Sequence, residues 1–541
     1  METETQFTRK KSGYIREFNV LDVFILNVLG YSIGLAVCTN PPFIAGFSPN
    51  AALWVVVLFG ASLALVNGIA YGLFAGLMPN TGGDYHFVGR TLHHSLGFIA
   101  NWGFTIANAF GLAFNLITFF TNGLSPLFLT VGYSFGNQTL IEWGKSVASP
   151  HMSLIFGSCL LGILVLLALS GRSLNRLFLY PLFVLALVGS ALMWFVIHNH
   201  SQADFISSFN AFIQQTSGKS DAYQQTLQTA AANGLTPGQP SNLRAALHAL
   251  PIAFLCFVGF NYSVYLGGEV RRPLRSQTIG IIFALLVGLV AFLALMGGYQ
   301  NLVGKDFISA LGIGGAVLEK SGIPSTSTSL FVGLMLPKGS YLNVIMQSCN
   351  ILWFVSVPIV ILQVCVRNVM AWSSDEMFFG AMLKRTKRTL QPWVAVLLVA
   401  GVAELWMLIS VPFGLSLVGA ATLLAVPSAL TGSAAFFLPV RRKSFWNNAP
   451  PAIKAATIFG FSIFRLAGLL CFAGSGWLVW EAVKFDAATS PSGKLVTVWI
   501  YLAAVYGLGA VTYTIFWRRL VKTIPGGKEQ AKIFRQELPS D

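Results

Sequence analysis

Apolar residues in this chain come in long, nearly unbroken runs, not in short alternating or amphipathic patches. Runs of about 20 residues are long enough for a helix to cross the hydrocarbon layer of a bilayer. They fall near 20–47, 51–77, 97–122, 152–170, 176–198, 246–270, 276–300, 342–370, 392–411, 413–439, 455–482 and 495–517. Lipid offers no hydrogen bonds, so a spanning segment must satisfy its own backbone, and a helix does this within one segment. The pattern predicts an all-α polytopic membrane protein with about twelve transmembrane helices.

Two of these runs are interrupted. The first begins Asn19-Val-Leu-Asp22, the signature of a helix N-cap, and is then broken by Gly30-Tyr-Ser-Ile-Gly34 near the bilayer middle. The sixth is broken at similar depth by Gly259-Phe-Asn261 and runs in the opposite direction. Glycine inside a helix costs roughly 1 kcal/mol relative to Ala. A broken helix also frees backbone groups that lipid cannot satisfy, so the break must face protein, water or a ligand. Two such breaks, five helices apart and oppositely oriented, point to an inverted-repeat transporter. Ordinary close packing through glycine is the alternative for either span alone.

The polar segments divide the chain into a cytoplasmic tail 1–18, a first five-helix unit 19–198, an external loop 199–245, a second five-helix unit 246–440, helices eleven and twelve in 441–517, and a cytoplasmic tail 518–541. A second polar stretch, 301–341, is also predicted external. Residues 221–232 read as a short surface helix, ended by Gly234 to Pro240.

Composition narrows the class. Of 541 residues, 55% are hydrophobic and 10% charged, where soluble domains carry roughly 25% charged residues. The net charge of +15 suggests a nucleic-acid partner until its placement is read. With the N-terminus cytoplasmic, Arg9/Lys10/Lys11, Arg172/Arg176, Arg271/Arg272/Arg275, Lys384/Arg385/Lys387/Arg388, Arg441/Arg442/Lys443 and the tail from Arg518 all fall on one face. This is the positive-inside signal; it reports topology and excludes a nucleic-acid role. The first 18 residues are polar and resemble no cleaved leader. All six cysteines lie in apolar spans without a CxxC pair, which reads as buried small hydrophobes and not as a disulfide or metal set. The histidines show no metal-ligand spacing, and His93–His94 reads as a solvated loop pair.

Four stretches carry a family resemblance. Met78-Pro-Asn-Thr-Gly82-Gly83-Asp84-Tyr85, followed by Gly97 and Trp102, resembles the Pro-x-x-Gly-Gly-x-Tyr loop of the amino acid–polyamine–organocation superfamily. Gly259-Phe-Asn261, Glu269 and Arg271-Arg-Pro273 are similar to its sixth-helix pattern. Arg367 through Ala371 to Asp375 resembles its eighth-helix motif, and Phe437-Leu-Pro-Val-Arg-Arg-Lys443 its closing turn. The match runs in order from about 20 to 445. It implies a LeuT-type 5+5 inverted repeat with two C-terminal helices. It further implies that the break of helix one offers backbone N–H groups to a substrate carboxylate, at Tyr31, Ser32, Ile33 and Gly34. The break of helix six would offer carbonyls to its ammonium, at Phe257, Val258, Gly259, Phe260 and Asn261. The chain departs from the family where a denser Gly-x-Gly becomes Ser32-Ile-Gly34, where an acidic residue becomes Asn261, and where a Ser becomes Val366. Some proton-coupled relatives carry a Lys in helix five, and this chain has none after Arg176, so the coupling ion, H+ or Na+, stays open.

Charges within spans are expensive and usually functional. Glu269 and Arg367 read as a gating or structural pair at the cytoplasmic ends of helices six and eight. Glu404 and Arg465 lie outside the implied transport core and read as a mutual ion pair or an oligomer contact. Helix three carries Asn101, Asn108, Asn115 and Asn122. Seven residues turn an ideal helix through about 700°, so the amides drift only about 20° per step and form one stripe. The stripe serves either as interhelical glue or as the lining of the substrate path, with Asn108 nearest mid-membrane. The expected activity is secondary transport of an amino acid or related amine, with no enzymatic role, no cofactor beyond a coupling ion, and the lipid bilayer of the cell membrane as surroundings. A polyamine or other organic-cation carrier is the alternative substrate reading, disfavoured because helices one, three, six and eight carry no paired carboxylates. A channel would want a filter or a ring of like charges, and neither is present.

Overall fold

The computed structural model describes residues 16–523 other than 50, 171, 414–416, 459 and 490–496. The basic clusters at 9–11 and beyond 523 lie outside the described residues. The first predicted span is two helices, α1 (Val20–Tyr31) and α2 (Ile33–Phe47). Next come α3 (Leu53–Leu77), the short α4 (Asp84–Thr91) and α5 (His94–Thr118), which passes through a π turn at Phe119–Leu124 into α6 (Ser125–Ser134). Two long helices follow, α7 (Pro150–Ser170) and α8 (Arg172–His198). The sixth predicted span consists of α9 (Leu250–Leu255) and α10 (Tyr262–Tyr265). The rest comprises α11 (Pro273–Val303), α12 (Tyr341–Asn350), α13 (Leu352–Ser374), α14 (Trp393–Phe413), α15 (Leu417–Arg441), α16 (Ile463–Thr489) and α17 (Thr497–Thr523).

Among the described residues, ten helical stretches are long and apolar enough to cross a membrane. The two other predicted spans are the broken 246–270 segment and α14, whose apolar stretch Trp393–Ile409 is shorter. The outward faces are apolar: Ile155, Ile163 and Leu166 on α7 and Val290 on α11 are exposed. In water such surfaces would drive association; in lipid they are solvated. The chain is an all-α polytopic membrane protein.

The sequence-level start of α1 forms as expected. The Asn19 side chain accepts from the backbone of Leu21 and Asp22, and the Asp22 carboxylate accepts from the Asn19 N–H at 2.8 Å, which closes a capping box. Small residues set the tightest crossings. A Cβ at Gly432 would lie 2.6 Å from the Gly468 carbonyl, so α15 and α16 touch backbone to backbone. Helix α5 is the hub, packed against α4, α13, α14, α15 and α17.

The two long polar stretches fold onto one another. Helices Gln202–Ser217 and Ala222–Ala232 pack with Lys305–Ile313 through a shared aromatic core of Phe205, Phe209, Tyr223, Phe307 and Phe331. At the opposite end of the broken span, residues 265–271 are strapped on both sides. Glu17 and Phe18 donate their N–H groups to the Glu269 carbonyl at 2.7 and 2.9 Å, and the Gly82 N–H donates to the Tyr265 carbonyl at 3.1 Å.

Candidate substrate site at the paired helix breaks

The break in the first span is a single residue. Ser32 adopts φ +53°, a left-handed conformation that costs a non-glycine residue energy. Its hydroxyl donates to the Trp353 carbonyl at 3.0 Å instead of capping α2. The first N–H groups of a helix have no intrahelical acceptor, so those at the start of α2 are freed in the protein interior. In the sixth span the chain leaves the helix after Leu255 and turns through Cys256–Asn261, with Gly259 at φ +112°. That conformation is open to glycine alone at low cost.

The two breaks meet directly. A Cβ on Gly259 would lie 2.4 Å from the Gly30 carbonyl carbon, and one on Gly30 would lie 2.9 Å from the Gly259 oxygen. Gly30, two residues before the break, is therefore the partner of Gly259. Gly34 faces elsewhere: it sits in the first turn of α2, where a Cβ would meet Trp353 Cδ1 at 2.1 Å and Asn350 Oδ1 at 2.6 Å. The reason is rotational. Residues 30 and 34 lie on opposite sides of the kink at Ser32, so they face different neighbours.

A buried polar chain ties the breaks together. Asn27 Nδ2 donates to Ser263 Oγ at 3.0 Å, and the Ser263 N–H donates to Asn27 Oδ1 at 3.0 Å. The Ser263 hydroxyl donates to Gln277 Oε1 at 2.6 Å, and Gln277 Nε2 returns a bond to the Ser263 carbonyl at 2.9 Å. On the other flank the Tyr262 hydroxyl donates to Asn108 Oδ1, while Asn108 Nδ2 donates to the Phe104 carbonyl of its own helix. Buried amides with satisfied bonds specify one arrangement.

The expected substrate residues are therefore brought together, though not all face the same space. Tyr31 is buried, donates to the Ala284 carbonyl at 2.7 Å, and lies against Phe257 and Phe292. Ile33 is buried, and Val258 is only half-buried. The Phe260 ring turns away toward Tyr71 and Phe254. Asn261 is buried without capping α10. The asparagine stripe divides by role. Asn101 donates to Asp84 at 2.6 Å and accepts from Trp372 at 2.7 Å; Asn115 donates to the Gly111 carbonyl of its own helix. Asn122 lies in the π turn, whose extra residue rotates it off the stripe.

Glu269 and Arg367 form a buried ion pair at 2.9 Å. They border a crevice also lined by Asp22, Tyr180, Gln363 and Gln391. Glu404 and Arg465 do not form the mutual pair expected from sequence. Glu404 accepts from Ser158 at 2.7 Å on α7, and Arg465 lies over the Phe436 ring at 4.8 Å on α15, because α14 and α16 pack against different neighbours. His94 is likewise not a solvated loop residue; it stacks on Tyr513 and Trp517 of α17. The six cysteines are free thiols. The sequence reading missed Asn27, Ser263 and Gln277. Their only signal was polarity in otherwise apolar runs.

Helices of membrane-crossing length, gathered around two broken helices in backbone contact, define a polytopic membrane protein with a small, buried, polar centre. Residues 18–508 match the amino acid permease family, and the chain belongs to it. Over 297 residues it is also 24% identical to Uncharacterized protein 399 of Sulfolobus islandicus rod-shaped virus 1, a region that is 55% of this chain and 59% of that protein. The chain thus spans about three fifths of the length of that curated relative.

Proposed function

We propose that the chain is a secondary transporter that moves amino acids or related amines across a membrane by alternating access, as a symporter or an exchanger. The observation that carries this reading is the backbone contact of the two breaks at Gly30 and Gly259. It gathers freed N–H groups at the start of α2 and carbonyl groups at the end of α9 into one buried place. A helix N-terminus favours an anion and a helix C-terminus a cation, which matches the carboxylate and ammonium of an amino acid. Neither break carries a charged side chain, so the fitting substrate is zwitterionic, and Asn108 with Tyr262 supplies polar specificity. In this reading, 19–198 and 246–440 are two inverted five-helix units, with two further helices in 441–517. Glu269 and Arg367 close the cytoplasmic side of the path, and both termini lie in the cytoplasm of a cell whose plasma membrane the chain spans. Transport needs no cofactor; an ion gradient drives the uphill step. Counterflow of a radiolabelled mixture of the twenty amino acids into proteoliposomes tests the proposal. Saturable exchange above protein-free vesicles is expected; its absence with well-folded protein would overturn the reading.

A further inference from the structure

Asp84 is a wholly buried carboxyl that the paired breaks do not use. It begins α4, in the loop between the second and third spans. Its Oδ1 accepts from Asn101 Nδ2 at 2.6 Å. Its Oδ2 is buried and has no hydrogen-bond partner among the described residues. The hydroxyl of Tyr265, on the second half of the broken span, is equally buried and unpartnered, and it is close enough to favour the charged carboxyl. Among the described residues, no Lys or Arg is among the groups that act on the Asp84 carboxyl. A buried carboxylate without a counter-cation is costly, and a proton is the simplest species that removes the cost. Burial pushes the Asp84 carboxyl up to about 7, against the opposing Asn101 bond.

The position gives this proton a mechanical consequence. Gly83, at φ +50°, brings the loop backbone against the Tyr265 ring, where a Cβ would lie at 3.0 Å. The Gly82 N–H is held by the Tyr265 carbonyl, and Thr81 bridges Leu266. On its other side Asp84 is held by Asn101 of α5, which also takes the indole N–H of Trp372 on α13. The carboxyl therefore lies in a seam between α5 and α13 and the strap that carries the second half of the broken span.

We infer that Asp84 is a proton-binding site that couples a proton to the transport cycle: the carboxylate takes a proton from water on one face and returns it to water on the other as the strap around Tyr265 shifts. Only one O–H bond forms and breaks, and one positive charge accompanies each zwitterion. The inference rests on the transport reading above. The titratable groups interacting with Asp84 are Tyr71 of α3, Tyr265 of α10 and Tyr506 of α17. On its own helix stand Tyr85, whose hydroxyl donates to Asp375, His86, which bonds the Thr81 carbonyl, and Arg90, which is paired electrostatically with Asp375. Residues from α5 and α13 that close the site, Asn101 and Trp372, do not titrate.

The test uses full-length protein in proteoliposomes with the labelled twenty-amino-acid mixture and an internal pH dye. The wild type should show counterflow without a gradient, accumulation under an inside-alkaline gradient, and internal acidification when substrate is added. Asp84→Asn should keep counterflow while losing gradient-driven accumulation and acidification to the level of protein-free vesicles. A wild type with counterflow but no proton dependence, or an Asp84→Asn variant that still accumulates and acidifies, would overturn the inference and leave the transport reading standing. A wild type without counterflow would bring down both. If Asp84→Asn does not assemble, Asn101→Ala keeps the carboxyl but removes the bond that favours its charged form. The pH midpoint of uptake should then rise by about one unit, and an unmoved midpoint would overturn the inference.

Discussion

Asn108 shows how one side chain can join two elements. Its oxygen takes the Tyr262 hydroxyl from α10 and its nitrogen is returned to its own helix, so both ends of the amide are engaged, with a second N–H and a second lone pair to spare, while 2% exposed. Loss of a neutral buried hydrogen bond costs about 1 kcal/mol net, which corresponds to roughly a fivefold change in affinity. Asn108→Ala and Tyr262→Phe should each raise the KM for exchange by about that factor, and the double variant should be no worse than either single one. Asn122→Ala, on the π turn, should leave KM unchanged; equal effects at 108 and 122 would deny Asn108 its special place. Arg367 and Glu269 behave differently because both are charged and buried. Removing one partner strands the other, at a cost of about 3–5 kcal/mol. Arg367→Ala should therefore lower the melting temperature in detergent sharply, and adding Glu269→Gln should recover most of it. Asp84 sets a pH dependence of stability. Its carboxyl is raised in the folded protein to about 7, above its value in an unfolded chain, so the folded state binds the proton more tightly. Its contribution is most favourable below the unfolded value and is lost as pH rises through about 7. The melting temperature of Asp84→Asn should lack this fall between pH 4 and 7.

Among the elements, the broken helices carry the argument. The break at Ser32 and the turn at Gly259 are held by close backbone packing, not by the side chains of the motif. A methyl group at Gly34 would overlap Trp353, and one at Gly259 would overlap Gly30 and require a side chain at φ +112°. Gly34→Ala and Gly259→Ala should therefore reduce the yield of monodisperse protein. Variants that insert, purify and exchange like wild type would show that the contacts at 30, 34 and 259 relax easily. The presence of the breaks was legible in the sequence, because Gly and polar residues interrupt apolar runs where lipid forbids free backbone. The identity of the facing residues was not, because a one-residue kink rotates all that follows. The stripe on α5 failed at its end for the same reason: periodicity assumes 3.6 residues per turn, and the π turn at Phe119–Leu124 does not keep it.

At the scale of the molecule, the long polar stretches fold together at one end, and the strap of residues 17–18, 81–82 and 265–271 closes the other. In the proposed topology these two ends lie on opposite sides of the membrane. Tags at Gly218 and Lys387 should report external and cytoplasmic faces respectively, by reagent access in intact cells; the same face for both would overturn the proposed topology. By itself the sequence determined the class, the approximate spans, the two breaks and the Asn19–Asp22 cap. Each is fixed locally, by the cost of unpaired backbone in lipid or by hydrogen bonds spanning three residues. Tertiary structure alone decided that Gly30 meets Gly259, that Glu404 and Arg465 find different partners, and that Asn27, Ser263 and Gln277 form one chain. Those pairings join residues far apart in sequence, such as Asn27 and Ser263. They depend on how each helix is rotated about its axis, a quantity set by packing against neighbours and not by any run of residues.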